Sequence, residues 1–98
     1  MEEEITTVFY LSSELLEAMD IKENPQVKIN NAEVMTVALS ASLFFSGNYE
    51  KSREFLSEHG YIRDMLSKSQ FNRRLLAIPE TVWMALSNLL MLDAEYPV

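Results

Sequence analysis

Lys68, Arg73 and Arg74 stand within one short stretch, SKSQFNRRLLAIPE at residues 67–80, with Ser69, Gln70 and Asn72 between them. These side chains suit nucleic acid: Arg pairs bidentately with guanine, Asn or Gln with adenine, and Ser reaches phosphate or base. The same stretch reads as a helix. Ser67 and Gln70 have capping-box spacing, in which each side chain satisfies the other's backbone N–H at the helix start. Pro79 ends it, because proline disfavours the α conformation for the preceding residue, Ile78. If Phe71 and Leu75 face a core, a rotation of about 100° per residue sends Ser69 and Arg73 to the opposite side, with Gln70 and Asn72 on the flanks. Arg74 falls at the edge of the apolar stripe, where its stem can pack while its head stays wet. The candidate DNA contacts are therefore Lys68, Ser69, Gln70, Asn72, Arg73 and Arg74.

No other constellation competes. His59 is the lone histidine and precedes Gly60 at a helix end, a place where an imidazole usually caps carbonyls or meets the helix dipole. The chain has no Cys, which excludes a thiol nucleophile, a disulfide framework and a cysteine zinc site. Gly47 and Gly60 are its only glycines, too few for a phosphate-binding loop. The early acids read as a solvated face, with no set converging from different elements as Mg²⁺ requires. Phe44, Phe45 and Trp83 read as core and not as a ligand cage. The expectation is no catalysis, no metal, no cofactor and no small-molecule ligand.

The elements that must position the basic helix are themselves helical. Apolar residues recur at three- and four-residue spacing along most of the chain, and no bounded run alternates with period two. The 98 residues suit a single domain, 1–98, and 48% apolar composition allows a real core. The fold class is all-α, a compact bundle of about five helices. The first helix is expected from about Ile5 to Met19, with Val8, Leu11, Leu15 and Met19 in line and Phe9 and Leu16 widening the stripe. Glu2, Glu3 and Glu4 suit a helix N-terminus. DIKENPQVKINN, with Pro25, reads as a loop.

The second helix opens with Asn30 and Glu33 in capping-box spacing and closes at Gly47. Val34, Val37, Ala38, Ala41, Phe44 and Phe45 make one face, Met35, Leu39 and Leu43 add another, and Glu33, Thr36 and Ser40 leave a thin polar strip. A helix apolar on nearly every side belongs at the centre of a bundle. A third helix, YEKSREFLSEHG, turns Ser52, Phe55, Leu56 and His59 to one side. YIRDML then turns the chain into the basic helix, and a fifth helix, about Pro79 to Leu92, buries Val82, Leu86, Leu89 and Leu90 with Trp83 alongside.

Charge is segregated along the chain. The net charge is -7 at pH 7, yet residues 1–24 hold Glu2, Glu3, Glu4, Glu14, Glu17, Asp20 and Glu23 against Lys22 alone. Residues 50–78 hold Lys51, Arg53, Arg63, Lys68, Arg73 and Arg74 against Glu50, Glu54, Glu58 and Asp64. With a Debye length of about 8 Å at physiological salt, acids on the far side of a small domain are largely screened from a duplex on the basic face. Helix, turn and a short capped helix with Arg, Asn, Gln and Ser outward form a helix-turn-helix-like unit, although the connection from Gly60 to Leu66 exceeds the usual turn of about three or four residues. The bland alternative is a solvated outer face on an ordinary bundle helix. There is no leader pattern and no apolar run near the ~18 residues of a membrane span, so a cytoplasmic protein without membrane contact is expected.

The blocks AEVMT, EHGYI and FNRRL, in that order within NNAEVMTVALSASLFFSGNYEKSREFLSEHGYI and MLSKSQFNRRL, resemble the N-terminal region of a group of bacterial insertion-sequence transposases of the DDE, RNase H-like type. The resemblance runs from about Ile5 to about Leu90 and leaves the tail MLDAEYPV, 91–98, unassigned. It implies a helical DNA-binding region that helps place transposon ends for a downstream catalytic domain. Lys68, Arg73 and Arg74 would then face DNA, with Ser69, Gln70 and Asn72 beside them. In that family the catalytic acids lie on strands of a later domain, so this chain is expected to be an excised N-terminal domain or a truncated product, non-catalytic by itself. Family members are more basic around SKSQFNRRLL, with an Arg or Lys near Gln70 and a His near Leu76, so DNA binding that is weakened or lost is implied here. The rival reading is a helical interaction module, such as a homodimerisation domain, whose acidic first helix meets a basic partner.

Overall fold

A computed structural model describes residues 2–22 and 28–95, and among them five helices and no strand: α1 (Glu2–Ala18), α2 (Asn31–Phe44), α3 (Tyr49–Glu58), α4 (Lys68–Ala77) and α5 (Glu80–Glu95). The loop residues around Pro25, the side chain of Leu90 and the Pro97 tail lie outside the described residues. The radius of gyration, 13.0 Å, matches the roughly 13 Å of a compact hundred-residue chain. The fold is an all-α bundle built around α2.

α2 occupies the centre because nearly every side of it is covered. Ala32, Val34, Met35, Thr36, Val37, Ala38, Ser40 and Ala41 are all buried, and α1, α3 and α4 each pack on it. The strip expected to keep Thr36 and Ser40 as its polar face is itself inside. Thr36 accommodates burial by donating its hydroxyl to the Ala32 carbonyl at 2.7 Å. The last turn is the more open part, with Leu43 exposed and Phe44 and Phe45 half-buried. The start is fixed by the expected capping box: Glu33 N–H donates to Asn30 Oδ1 at 2.8 Å and Asn30 N–H to Glu33 Oε1 at 2.9 Å. Past the helix, Ser46 and Gly47 both take positive φ, 53° and 84°, which turns the chain within two residues into the Asn48 cap of α3.

α1 begins earlier than expected and takes the three glutamates into its first turn. Its buried seam is Ile5, Val8, Ser12 and Leu16, spaced three, four and four residues apart. The line Val8, Leu11, Leu15 and Met19 expected from apolar residues alone is therefore rotated: Leu11, Leu15 and Met19 flank the seam, and Phe9 is exposed. Ser12 hides the true seam in the sequence because it is polar, yet it is fully buried, and its hydroxyl has no hydrogen-bond partner among the described residues. α3 docks through Leu56 and through Ser52, whose hydroxyl donates to the Val37 carbonyl at 2.8 Å. α5 packs on α1, with Val82 and Leu86 buried and Leu89 exposed instead of covered.

The segment 59–67 between α3 and α4 is longer than a helix-turn-helix turn of about three or four residues. It is nonetheless anchored. Ile62 and Leu66 are buried, and Arg53 of α3 donates to the Leu66 carbonyl at 2.6 Å. The helix that α4 mainly packs against is α2.

Candidate nucleic-acid interface

α4 starts as its sequence dictates. Gln70 N–H donates to Ser67 Oγ at 3.3 Å, and Ser67 N–H donates to Gln70 Oε1 at 3.2 Å, closing the capping box. Phe71 is the one residue of α4 that is fully buried, 1% exposed, and it meets the Tyr49 ring edge-on at 5.6 Å. Leu75 is only half-buried. Lys68, Ser69, Gln70, Asn72 and Arg73 are all exposed, on the side expected from the helical rotation. Leu76 joins them at 85% exposure, the largest value for any bulky apolar side chain described.

Two of the six candidates have other employment. Gln70 Oε1 accepts from both the backbone and the hydroxyl of Ser67, so reading adenine with both ends of its amide would mean giving up the cap. Arg74 does not leave its head in water as expected. Its Nη1 donates to the Ile29 carbonyl at 2.9 Å and its Nη2 to Asn31 Oδ1 at 3.0 Å. These bonds fasten α4 to the entry of α2, because Ile29 is buried at 1% exposure and Asn31 is the first residue of that helix.

Beside this junction lies an open groove lined by Lys28, Leu66, Gln70, Arg73, Arg74 and Ala77. Lys28 was not among the sequence candidates. It sits in the loop before α2, far from α4 in the chain, and no local spacing connects the two. Only the long-range contact of Arg74 with Ile29 and Asn31 reveals the juxtaposition. Lys28 is exposed, and among the described residues neither it, Lys68 nor Arg73 is paired with a carboxylate.

The lining of the groove includes three cations, Lys28, Arg73 and Arg74, and no carboxylate. α4 has no acidic residue in its first turn, whereas α1, α2, α3 and α5 each carry at least one there. The positive end of its dipole is thus left uncompensated by its own side chains. The acids of α1 are exposed, and α1 reaches α2 and α5 without packing extensively on α4. The basic middle of the sequence is smaller in space than in the chain. Arg53 is largely covered and bonds Glu50 at 2.6 Å, so its charge is spent internally.

The remaining features are structural. His59 Nδ1 lies 2.9 Å from the Phe55 carbonyl, with the two rings stacked at 4.1 Å, as expected of an imidazole closing a helix. Tyr61 lines a small cleft with Ile5, Thr6, Phe9 and Thr36, and partial burial, helped by the Glu2 carboxylate, pushes its phenol above the ordinary range. Among the described residues no group of His, Asp and Glu is arranged to hold a metal ion, and no helix is long and apolar enough to cross a membrane. No family model, curated protein or solved structure matches this chain.

Proposed function

We propose that the chain is a DNA-binding module that is not catalytic by itself, the N-terminal region or a truncated fragment of an insertion-sequence transposase, with transposon ends as its ligand. The observation that carries the reading is the pair of outward cations Lys68 and Arg73, paired with no described carboxylate, on a short capped helix free of first-turn acids. The likeness of AEVMT, EHGYI and FNRRL to that transposase group names the class of DNA. α4 acts as the reading helix of a loosened helix-turn-helix, braced by α2 and α3. Ser69, Asn72 and Arg73 are its available polar side chains.

Fluorescence anisotropy with a transposon-end duplex and a scrambled duplex, at low and physiological salt, tests this directly. Salt-dependent binding is expected, with non-specific affinity no tighter than about 10⁻⁶ M, because few phosphates are engaged. Absence of binding to either duplex removes the proposal.

A second reading, a protein-interaction or homodimerisation module, is favoured by one specific feature. Tyr10 of α1, Leu43 of α2 and Met84 of α5 are each more than half exposed, and a partner chain would cover such apolar surface. Sedimentation across a concentration series separates the two: a dimer that forms without DNA and persists in Arg73→Ala supports the second.

A further inference from the structure

We infer that Lys28 and Arg73 form a two-element clamp for adjacent backbone phosphates of duplex DNA, and that Arg74 is the positioning residue that holds its halves together. The inference rests on the DNA-binding reading above and assigns its cations different tasks. Lys28 and Arg73 approach one open groove from separate elements, the loop before α2 and the body of α4. Both are exposed and unpaired with any described carboxylate. Cations placed this way are suited to phosphates, which ask for charge at defined separation and carry no base information.

Arg74 sets that separation. Its guanidinium spans from α4 to the Ile29 carbonyl and the Asn31 side chain, at 2.9 and 3.0 Å. Ile29 is the next residue after Lys28 and is locked into the core at 1% exposure. The backbone that carries Lys28 is thereby fixed relative to the helix that carries Arg73. A planar fork with several donors can hold two acceptors at once, which a lysine ammonium on a flexible stem does far less well. Leu66, Gln70 and Ala77 line the rest of the groove, and none of them carries a charge that competes for phosphate.

The test is the salt dependence of duplex binding by the full chain, measured by anisotropy on both duplexes, with thermal unfolding of each variant as a check on folding. Each lost phosphate contact should lower the slope of log K against log salt by about 0.9 and weaken binding uniformly across sequences. Lys28→Ala and Arg73→Ala are each expected to show that loss. Lys22→Ala removes the same charge at an exposed site whose nearest described carboxylate is Asp20, at 3.5 Å, and should leave the slope unchanged. Equal losses in Lys22→Ala would reduce the effect to net charge and overturn the clamp.

Arg74→Lys keeps the charge but not the two-pronged bond. In that background Lys28→Ala should add nothing further to the slope, and full additivity of the two changes overturns the positioning role. An unaltered slope in Lys28→Ala with normal wild-type binding defeats the clamp alone. No binding by the wild type at any salt defeats the DNA reading as well.

Discussion

α1 carries Glu2, Glu3 and Glu4 in its first turn and lays Ile5, Val8, Ser12 and Leu16 against the bundle, whereas α4 has no first-turn acid and fully buries Phe71 alone. Both pack on α2. α1 is held by Ile5, Val8 and Leu16, a seam interrupted only by Ser12, at about 1.5–3 kcal/mol for each large side chain removed from water. α4 is held by the Phe71 ring, by half-buried Leu75 beside it, and by a guanidinium that grips a carbonyl and an amide. A helix with so narrow a buried stripe keeps its remaining faces free, and there α4 carries Lys68 and Arg73, which no described carboxylate pairs. The difference extends to charge: α1 carries Glu2, Glu3, Glu4, Glu14 and Glu17 and no Lys or Arg, whereas α4 carries Lys68, Arg73 and Arg74 and no carboxylate.

The largest expected break in this comparison is Phe71→Ala. Losing the sole fully buried side chain of α4 should cost about 3–5 kcal/mol, read by chemical denaturation. A cost below about 1 kcal/mol would mean that α4 does not depend on that ring. Ser67→Ala comes next, removing the hydroxyl that accepts from Gln70 N–H, with an expected loss of about 1 kcal/mol and lower helicity by circular dichroism.

In α1 the sign should reverse. Ser12 is fully buried with no hydrogen-bond partner for its hydroxyl among the described residues, so Ser12→Ala should raise stability by up to about 1 kcal/mol by removing an unmet desolvation cost. A clear loss would reveal a partner for that oxygen. Arg73→Ala should change stability least, within about 0.5 kcal/mol, while weakening duplex binding. Glu14→Ala should leave duplex binding intact, and equal losses in the two variants would count against α4 as the DNA-facing side.

What was legible in the sequence was what short spacing encodes. Asn30 with Glu33 and Ser67 with Gln70 lie three residues apart, and both capping boxes form at the expected positions. Gly47 and Gly60 take the positive φ that a chain leaving a helix often requires. The apolar density of AEVMTVALSA was enough to place α2 at the centre. Ser12 was missed because its residue type argued against burial, yet it lies in the seam, fully covered. The role of Arg74 was missed for another reason: a guanidinium bonded to a backbone carbonyl leaves no trace in the type of its partner. Lys28 was missed with it, since the two are brought together only by tertiary structure.

The slender attachment of α4 sets the order in which the molecule comes apart. Native-state hydrogen exchange should find the amides of 71–77 released by local opening, at a free energy well below that of the bundle, while those of 34–41 in α2 exchange only when the whole chain unfolds. A segment that opens separately can reshape itself against a curved surface without melting its support. The same looseness means that whatever grips α4 from outside should slow its exchange far more than that of the centre.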